Sequence, residues 1–428
     1  MEHLLFAAYL VLFAWLVTKV KFFANAGLTS SQIVIIFLLK VMAGILYGWI
    51  GVYYGEMAQM MDTWGFHYES LKEYHNLLTK PSVFFTDIFN NSYPEGYTRF
   101  LSENSWWNDL KGNLFLKILA IFNVFSFGHY YINVILYSFI TLFGPMALYR
   151  VMQDVFPKKK LAVLLATFLV PSFIYWTSGL HKDGIIFVGF AFIAFNFYFG
   201  LKEKNFTVRR VLMSAFGLLL VLGLRNFYII PLVPAMLAWV LASRLKYKPV
   251  LIYSAVYIFF IIMFFTARYV DPKFNFPGAV VDKQQSFLKL TGASTIQVNA
   301  LKPTVGSFLL NTPQALSLTI IRPYPGDVHH LLSLAAAIEI AFLILLFLIF
   351  LFWRTNGTTL NSFILFCLFF SFSVLLMIGY SVNNLGAIVR YRSVILPFLI
   401  VPIVAKINWQ RVSAYFLGDI AKNTNVQI

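Results

Sequence analysis

The chain has 428 residues, of which 60% are hydrophobic and 12% charged, and its formal net charge at pH 7 is +16. Soluble domains carry roughly 25% charged residues, so this composition excludes an ordinary soluble protein. The single cysteine, Cys367, excludes an intrachain disulfide framework and a cysteine-based zinc site. Basic residues anchor the loops of membrane proteins, so the positive charge does not indicate a nucleic-acid partner.

Apolar segments follow one another along most of the chain. A membrane-crossing helix needs about 20 predominantly apolar residues. We therefore predict an all-α polytopic helix bundle of about eleven spans, at residues 3–18, 31–53, 129–149, 161–178, 184–200, 211–224, 227–243, 250–267, 332–353, 362–381 and 391–406. The N-terminal segment lacks a basic region and a cleavage site, so we expect a retained first span rather than a signal peptide.

Lysine and arginine recur in the connections after the odd-numbered spans. These residues are Lys19, Lys21, Arg150, Lys158, Lys159, Lys160, Lys202, Lys204, Arg209, Arg210, Arg244, Lys246, Lys248, Arg354, Lys406 and Arg411. The positive-inside bias then predicts an N-terminus outside and a C-terminus in the cytoplasm. Spans six and seven form one apolar run interrupted at Arg225-Asn226. A single bent helix there would put the later basic loops on the wrong side, so we predict two spans.

Two long segments, 54–128 and 268–331, lie outside under this topology. The first is rich in charged and aromatic residues, and its end, 113–127, has the pattern of an interfacial helix. The second carries proline and glycine turn signals. The chain therefore divides into regions 1–53, 54–128, 129–267, 268–331 and 332–428. Lys40 and Glu339 fall inside predicted spans, where they either pair with each other, or else each one snorkels or is satisfied by a packing neighbour.

Acidic residues and histidines collect on the predicted outer side. The cytoplasmic side retains only Asp154, Glu203 and Asp419. The two long outer segments account for part of this asymmetry, but the short outer connections are also charged. This sorting indicates that binding or chemistry takes place on the outer side.

Cationic side chains stand at the outer ends of several spans. They are Lys182, Arg225, Arg322, Arg390 and Arg392, and Lys182 is flanked by His181 and Asp183 as supporting residues. Each cation alone fits interfacial snorkelling. Together they predict an anion site at lipid-headgroup depth, because the fixed fork of arginine suits phosphate.

The acidic stretch 55–69 directly follows the second span. A carboxylate held above the membrane near such an anion site is placed to deprotonate an attacking hydroxyl. Asp62 and Glu69 are seven residues apart and would share one helical face. Carboxylate pairs at this spacing are also common on solvated surfaces.

Several motifs are missing from the chain. It contains no G-x-x-x-x-G-K-[ST], G-x-S-x-G, H-E-x-x-H or D-x-D motif, and its predicted cytoplasmic loops are short. This argues against an ATP-driven pump and against a nucleotide-sugar enzyme with a soluble catalytic domain. The sequence implies no cofactor and no specific metal ligands, and it leaves dependence on a divalent metal open.

Three motifs and the loop order carry a resemblance. The motifs are Pro-Ser-Phe-x-x-Trp-x-Ser-Gly-x-x-Lys-Asp (171–183), Arg-Pro-Tyr-Pro (322–325) and Arg-Tyr-Arg-x-x-x-x-Pro (390–397). With the acidic first outer loop, they resemble bacterial polytopic proteins of surface-polysaccharide assembly, similar to the GT-C glycosyltransferase superfamily.

The resemblance implies a bacterial inner-membrane protein that uses a polyprenyl-phosphate sugar donor, with a catalytic carboxylate in the first outer loop. Asp62 matches that carboxylate best by position and Glu56 second. His67 or His181 would orient the acceptor or share its proton. The chain departs from the family pattern because its acidic loop follows span two and lacks a paired Asp-Glu.

Two other classes of function fit the same residues. One is a polysaccharide polymerase or lipid-linked-glycan transporter, in which outer arginines hold a pyrophosphate and no base is essential. The other is a non-catalytic subunit of a larger envelope complex, whose aromatic outer loops are docking surfaces. Replacing Asp62 discriminates a transferase from both, and co-purification with a partner at fixed stoichiometry identifies the subunit.

Overall fold

The computed structural model describes residues 2–53, 62–90, 105–290, 292, 294–355 and 361–417. Within these ranges the regular structure is helical, which confirms the predicted all-α class. In chain order the helices are α1 (Glu2–Lys19), α2 (Lys21–Ala24), α3 (Ser30–Tyr53), α4 (Asp62–Thr79), α5 (Pro81–Thr86), α6 (Trp106–Ser126), α7 (Tyr130–Val155), α8 (Lys160–Phe168), α9 (Pro171–Ser178), α10 (Lys182–Lys202), α11 (Val208–Arg225), α12 (Ile229–Arg244), α13 (Pro249–Thr266), α14 (Phe276–Leu288), α15 (Val305–Leu316), α16 (Leu331–Trp353), α17 (Ser362–Ser381), α18 (Leu385–Ser393), α19 (Leu396–Ala405) and α20 (Trp409–Leu417).

Several of these helices are long and apolar enough to cross a bilayer. Among the described residues there are 8 such stretches, or up to 10 if each of two bent helix pairs forms one span. The pairs are α8 with α9, bent by 50°, and α18 with α19, bent by 62°. The structure is therefore a polytopic helix bundle, as the sequence predicts.

One of these stretches, Val208–Arg244 (α11 and α12), reverses direction in its middle. On α11, Gly217 packs against Gly189 of α10 so closely that a Cβ on Gly189 would lie 2.8 Å from the Gly217 carbonyl oxygen. Further along, Arg225 reaches Asp183 at the start of α10, so α11 runs antiparallel to α10.

The second half of the stretch runs the other way. The ring centroids of Tyr228 and Phe190 are 5.2 Å apart, and those of Trp239 and Phe197 are 6.5 Å apart. Residue numbers therefore rise together on α12 and α10, and these two helices are parallel. Arg225-Asn226 is thus a turn between two antiparallel helices, which agrees with the predicted two spans.

The basic connections meet at one end of the bundle, which we call the basic end. Lys160 donates to the carbonyl of Gly27 at 2.5 Å, and Lys159 donates to the carbonyl of Ile407 at 3.4 Å. These contacts join the connections after the first, third and last predicted spans. At the opposite end, called the site end, Glu2 lies 3.4 Å from His129. The N-terminus and the last helix thus lie at opposite ends of the bundle.

The described part of the first long segment covers the site end with two packed helices, α4 and α6. Lys117 of α6 contacts Glu73 of α4 at 2.9 Å and Asp87 at 2.6 Å. Helix α6 contains most of the predicted interfacial segment 113–127, and its placement at a membrane surface stays a prediction.

The second long segment contains more helix than its turn signals predict. Phe276–Leu288 and Val305–Leu316 are helical. Asn275 accepts a hydrogen bond from the backbone of Gly278, and Pro277 lies in the first turn of α14. These residues begin a helix, because proline is tolerated where the backbone N–H has no helical partner. Helix α15 then packs on α17 through a 2.5 Å hydrogen bond between Thr312 and Tyr380.

Lys40 and Glu339 hold opposite ends of the short helix α9 and do not pair with each other. The Lys40 ammonium donates to the carbonyl of Thr177 at 2.7 Å. Glu339 accepts from the backbone N–H of Ser172 at 2.7 Å and from its hydroxyl at 2.6 Å. A carboxylate at the start of a helix and an ammonium at its end both oppose the helix dipole favourably. Of the two sequence interpretations, satisfaction by packing neighbours is the correct one.

Candidate functional site

A fully buried carboxylate, Asp183, organises the charged groups at the site end. Nδ1 of His181 lies 2.8 Å from Asp183 Oδ2, and Nη2 of Arg225 lies 2.9 Å from Oδ1. Nε of Arg390 lies 3.5 Å from Oδ2. Asp183 thus contacts one imidazole and two guanidinium groups. Burying a carboxylate is costly, so the guanidinium groups of Arg225 and Arg390 are what make its position tolerable.

Asp62 joins this cluster from the solvent side. Its Oδ2 accepts a hydrogen bond from Nη1 of Arg390 at 3.1 Å and lies 3.8 Å from Nε2 of His181. The Asp62 side chain is 51% exposed, whereas that of Asp183 is 0% exposed. Arg390 therefore bridges one exposed and one buried carboxylate.

Local structure fixes each of these side chains. Asp62 begins α4, where a negative charge is favourable at the helix N-terminus. Arg225 ends α11 at the reversal, and Arg390 lies in the last turn of the short helix α18. The Arg390 guanidinium lies 5.3 Å from the ring centroid of Tyr391, while Arg225 lies over the same ring at 4.4 Å. One tyrosine thus keeps the two guanidinium groups in place.

The protonation states of Asp62 and His181 follow from their surroundings. Desolvation acts to raise the Asp62 pKa, but the Arg390 guanidinium beside it, with His181, brings that pKa below its ordinary value. Burial, and then the charge of Arg390, lowers the pKa of His181 to about 4. At neutral pH Asp62 is therefore ionised and His181 is neutral. The contact with Asp183 favours the tautomer with its proton on Nδ1, which leaves Nε2 facing Asp62.

The other predicted cations lie apart from this ion-pair cluster. The Lys182 ammonium lies 5.1 Å above the ring of Phe66 and forms no ion pair within the described ranges. Arg322 lies 3.5 Å from Asp327. Arg392 is buried, and its Nη1 donates to the carbonyls of Thr319 at 3.2 Å and Arg322 at 2.6 Å. Arg322 and Arg392 therefore have partners of their own outside the Asp183 cluster, and Asp327, the partner of Arg322, lines the same cavity as Arg390.

The remaining predicted residues are His67 and Glu56. His67 is buried against the rings of Trp64 and Tyr130, and burial lowers its pKa to about 4. It lies about 140° around α4 from Asp62, since each helical residue turns by about 100°. The structure thus places His181, and not His67, beside Asp62. Glu56 lies outside the described residues.

A cavity of 610 Å³ opens beside Asp62 and Arg390. Sequence analysis did not assign several of its polar lining residues to the site, and these include Ser294, Asp327, His329, His330, Ser333 and Asn384. Below them the walls are apolar or aromatic and come mainly from α3, α9 and α16. These wall residues are Ala43, Leu46, Tyr47, Ile50, Ile174, Tyr175, Trp176, Leu332, Ala335 and Ala336. These residues span about 10 Å of α3 and about 6 Å of α16, at about 1.5 Å of rise per residue, so the cavity extends along the bundle axis.

The wall helices place a polar floor at the far end of the cavity, where Glu339 meets Ser172. The spacing of Leu332, Ala335, Ala336 and Glu339 is that of one helix face. This shared face could have been recognised from the sequence. In the described ranges, no group of three or more His, Cys, Asp and Glu residues is arranged to hold a metal ion.

Comparisons with protein-family models, with curated proteins and with solved structures found no match to this chain. The function of this protein is therefore inferred from the chemistry of the site.

Proposed function

We propose that this protein is an integral membrane glycosyltransferase that takes a sugar from a polyprenyl-phosphate donor at the site end. The observation that carries the proposal is the contact between Asp62 and Arg390 at an apolar cavity. A candidate base and a candidate phosphate ligand thus stand together at the top of a space suited to a lipid chain.

The cluster can take an anionic ligand at Arg390. Two guanidinium groups, those of Arg225 and Arg390, accompany two carboxylates, Asp62 and Asp183. With His181 neutral these charges balance, so an anionic ligand would bind by taking the place of Asp62 on Arg390. Arginine binds phosphate oxygens through a fixed fork of donors, and the walls below it offer carbon surface to an isoprenoid chain.

The reaction that we propose uses Asp62 as general base. The Asp62 carboxylate takes the proton of the acceptor hydroxyl as that oxygen forms its bond to the anomeric carbon of the sugar. The bond between that carbon and the phosphate oxygen breaks, and the polyprenyl phosphate leaves with the bonding electrons. Arg390 stabilises the charge that develops on the leaving phosphate.

A polymerase or transporter of lipid-linked glycans would use the same cavity and arginine without needing a base. The transferase is favoured because Asp62 contacts Arg390 at the cavity, and this reaction requires a base beside the phosphate ligand. A subunit with only docking surfaces gives neither residue a role. Only this subunit alternative requires other envelope proteins as partners.

Arg390→Ala is expected to weaken binding of a polyprenyl monophosphate by about 1.5–3 kcal/mol, the scale of a hydrogen bond to a charged group. Binding would be measured by titration of the full chain in lipid nanodiscs. Arg268→Ala is the matched control, since Arg268 donates to the carbonyl of Pro303 and lies away from the cluster. Equal affinities for both variants and the unaltered chain would contradict the phosphate site.

We also propose that the site end faces the outside of a bacterial cytoplasmic membrane. A cysteine introduced at position 159 should then resist an impermeant thiol reagent in intact cells, and one at position 95 should react. The native Cys367 is buried and should not interfere. Labelling at 159 without labelling at 95 would reverse the orientation and move the site to the cytoplasm.

A further inference from the structure

We infer that Asp62 covers the phosphate-binding edge of Arg390 in the free protein, and that the donor's phosphate displaces it and thereby releases the base. The inference rests on the proposed function and describes how the same site is regulated. It gives the Asp62–Arg390 ion pair the role of a gate, which the bound substrate opens.

The two carboxylates on Arg390 are not equivalent. Asp183 is fully buried and also contacts His181 and Arg225. Asp62 is half exposed, and in the described part of the chain it contacts Arg390 at 3.1 Å and the neutral imidazole of His181 at 3.8 Å. Asp183 is therefore the fixed anion of the cluster, and Asp62 is the one that another anion can replace.

The position of Asp62 and Arg390 at the cavity indicates which kind of anion can replace Asp62. Both Asp62 and Arg390 line the cavity, so an anion that enters it meets the Arg390 guanidinium together with the carboxylate bound to its Nη1. The walls below are apolar, which favours a phosphate carried on a lipid chain over a free ion. Asp183 already lies against Nε of Arg390, so Asp62 and an entering phosphate, which repel each other, compete for the remaining donors of that guanidinium.

The displacement has a chemical consequence. While it touches Arg390, the Asp62 carboxylate is stabilised in its ionised form and is a poor proton acceptor. Once the phosphate neutralises Arg390, Asp62 loses that stabilisation and accepts a hydroxyl proton more readily. The base would thus become active only when the donor is in place.

Competition predicts that removing the Asp62 charge strengthens lipid-phosphate binding. In nanodiscs, Asp62→Asn should bind a polyprenyl monophosphate, supplied without sugar, about 10-fold more tightly than the unaltered chain, the scale of a charge-assisted hydrogen bond. Asp327→Asn is the matched control, because Asp327 lines the same cavity but contacts Arg322 instead. It reports the effect of simply removing one negative charge, which should be less than about 3-fold.

A second comparison assigns the gain to Arg390. Adding Asp62→Asn to Arg390→Ala should give no further tightening, because the edge that Asp62 covers is gone. Equal effects of Asp62→Asn and Asp327→Asn, or a gain that persists without Arg390, would overturn the gate.

Failure of the gate and failure of the proposed function are distinguishable. Tighter binding by Asp62→Asn in a protein that transfers no sugar would support displacement of Asp62 and contradict the transferase function. Sugar transfer that needs Asp62, combined with unchanged binding by Asp62→Asn, would support the transferase function and contradict displacement.

Discussion

Asp62→Asn is expected to lower the rate of sugar transfer by about 10²–10⁴-fold, the usual contribution of a general base. Asparagine keeps the shape of the side chain but cannot accept the hydroxyl proton. Binding of the polyprenyl phosphate should not weaken, so the loss should appear in the turnover rate. The measurement is transfer of a labelled sugar by the full chain in proteoliposomes.

Glu69→Gln is the matched control for that experiment. Glu69 lies seven residues further along the same helix, is exposed, and pairs with Lys72 at 2.7 Å. The same chemical change there should leave the rate within about 2-fold, as for other exposed ion pairs. A normal rate for Asp62→Asn would contradict the role of Asp62 as general base, and the polymerase or transporter interpretation would then be preferred.

Asp183→Asn is expected to reduce the free energy of unfolding by about 3–5 kcal/mol, because it leaves buried cations without their carboxylate. Asp183 connects α10 to Arg225 on α11 and to Arg390 on α18. The loss should therefore affect the packing of three helices together. Denaturation in mixed detergent micelles, followed by tryptophan fluorescence, gives the unfolding free energy.

The control for this prediction lies at the basic end of the bundle. Glu203 pairs with Arg210 at 2.5 Å but is half exposed, so Glu203→Gln should cost less than about 1 kcal/mol. A loss for Asp183→Asn as small as that of Glu203→Gln would show that the cluster does not stabilise the bundle.

The helices and their relative directions were predictable because they depend on local pattern. Apolar length locates most of the helices that can cross a bilayer. The recurrence of basic connections predicted a reversal at Arg225-Asn226, which the packing of α11 and α12 on α10 confirms. Helix α14 was missed because the proline and glycine at its start were interpreted as a loop, when Asn275 and Pro277 form a helix N-terminus.

The pairing within the site was not predictable, because it joins residues far apart in the sequence. Asp62 and Arg390 are 328 positions apart, and Lys40 and Thr177 are 137 apart. Pattern analysis placed the cations at one boundary but could not say which carboxylate each would contact. The same analysis could have predicted different surroundings for Arg390 and Arg392, since residues two apart on a helix point in nearly opposite directions.

The most direct test is a structure of the protein with a bound polyprenyl monophosphate. We expect the phosphate within hydrogen-bond distance of the Arg390 guanidinium and the isoprenoid chain along the walls formed by α3 and α16. A lipid whose phosphate binds away from Arg390, with the cavity between α3 and α16 unoccupied, would contradict the proposed donor site.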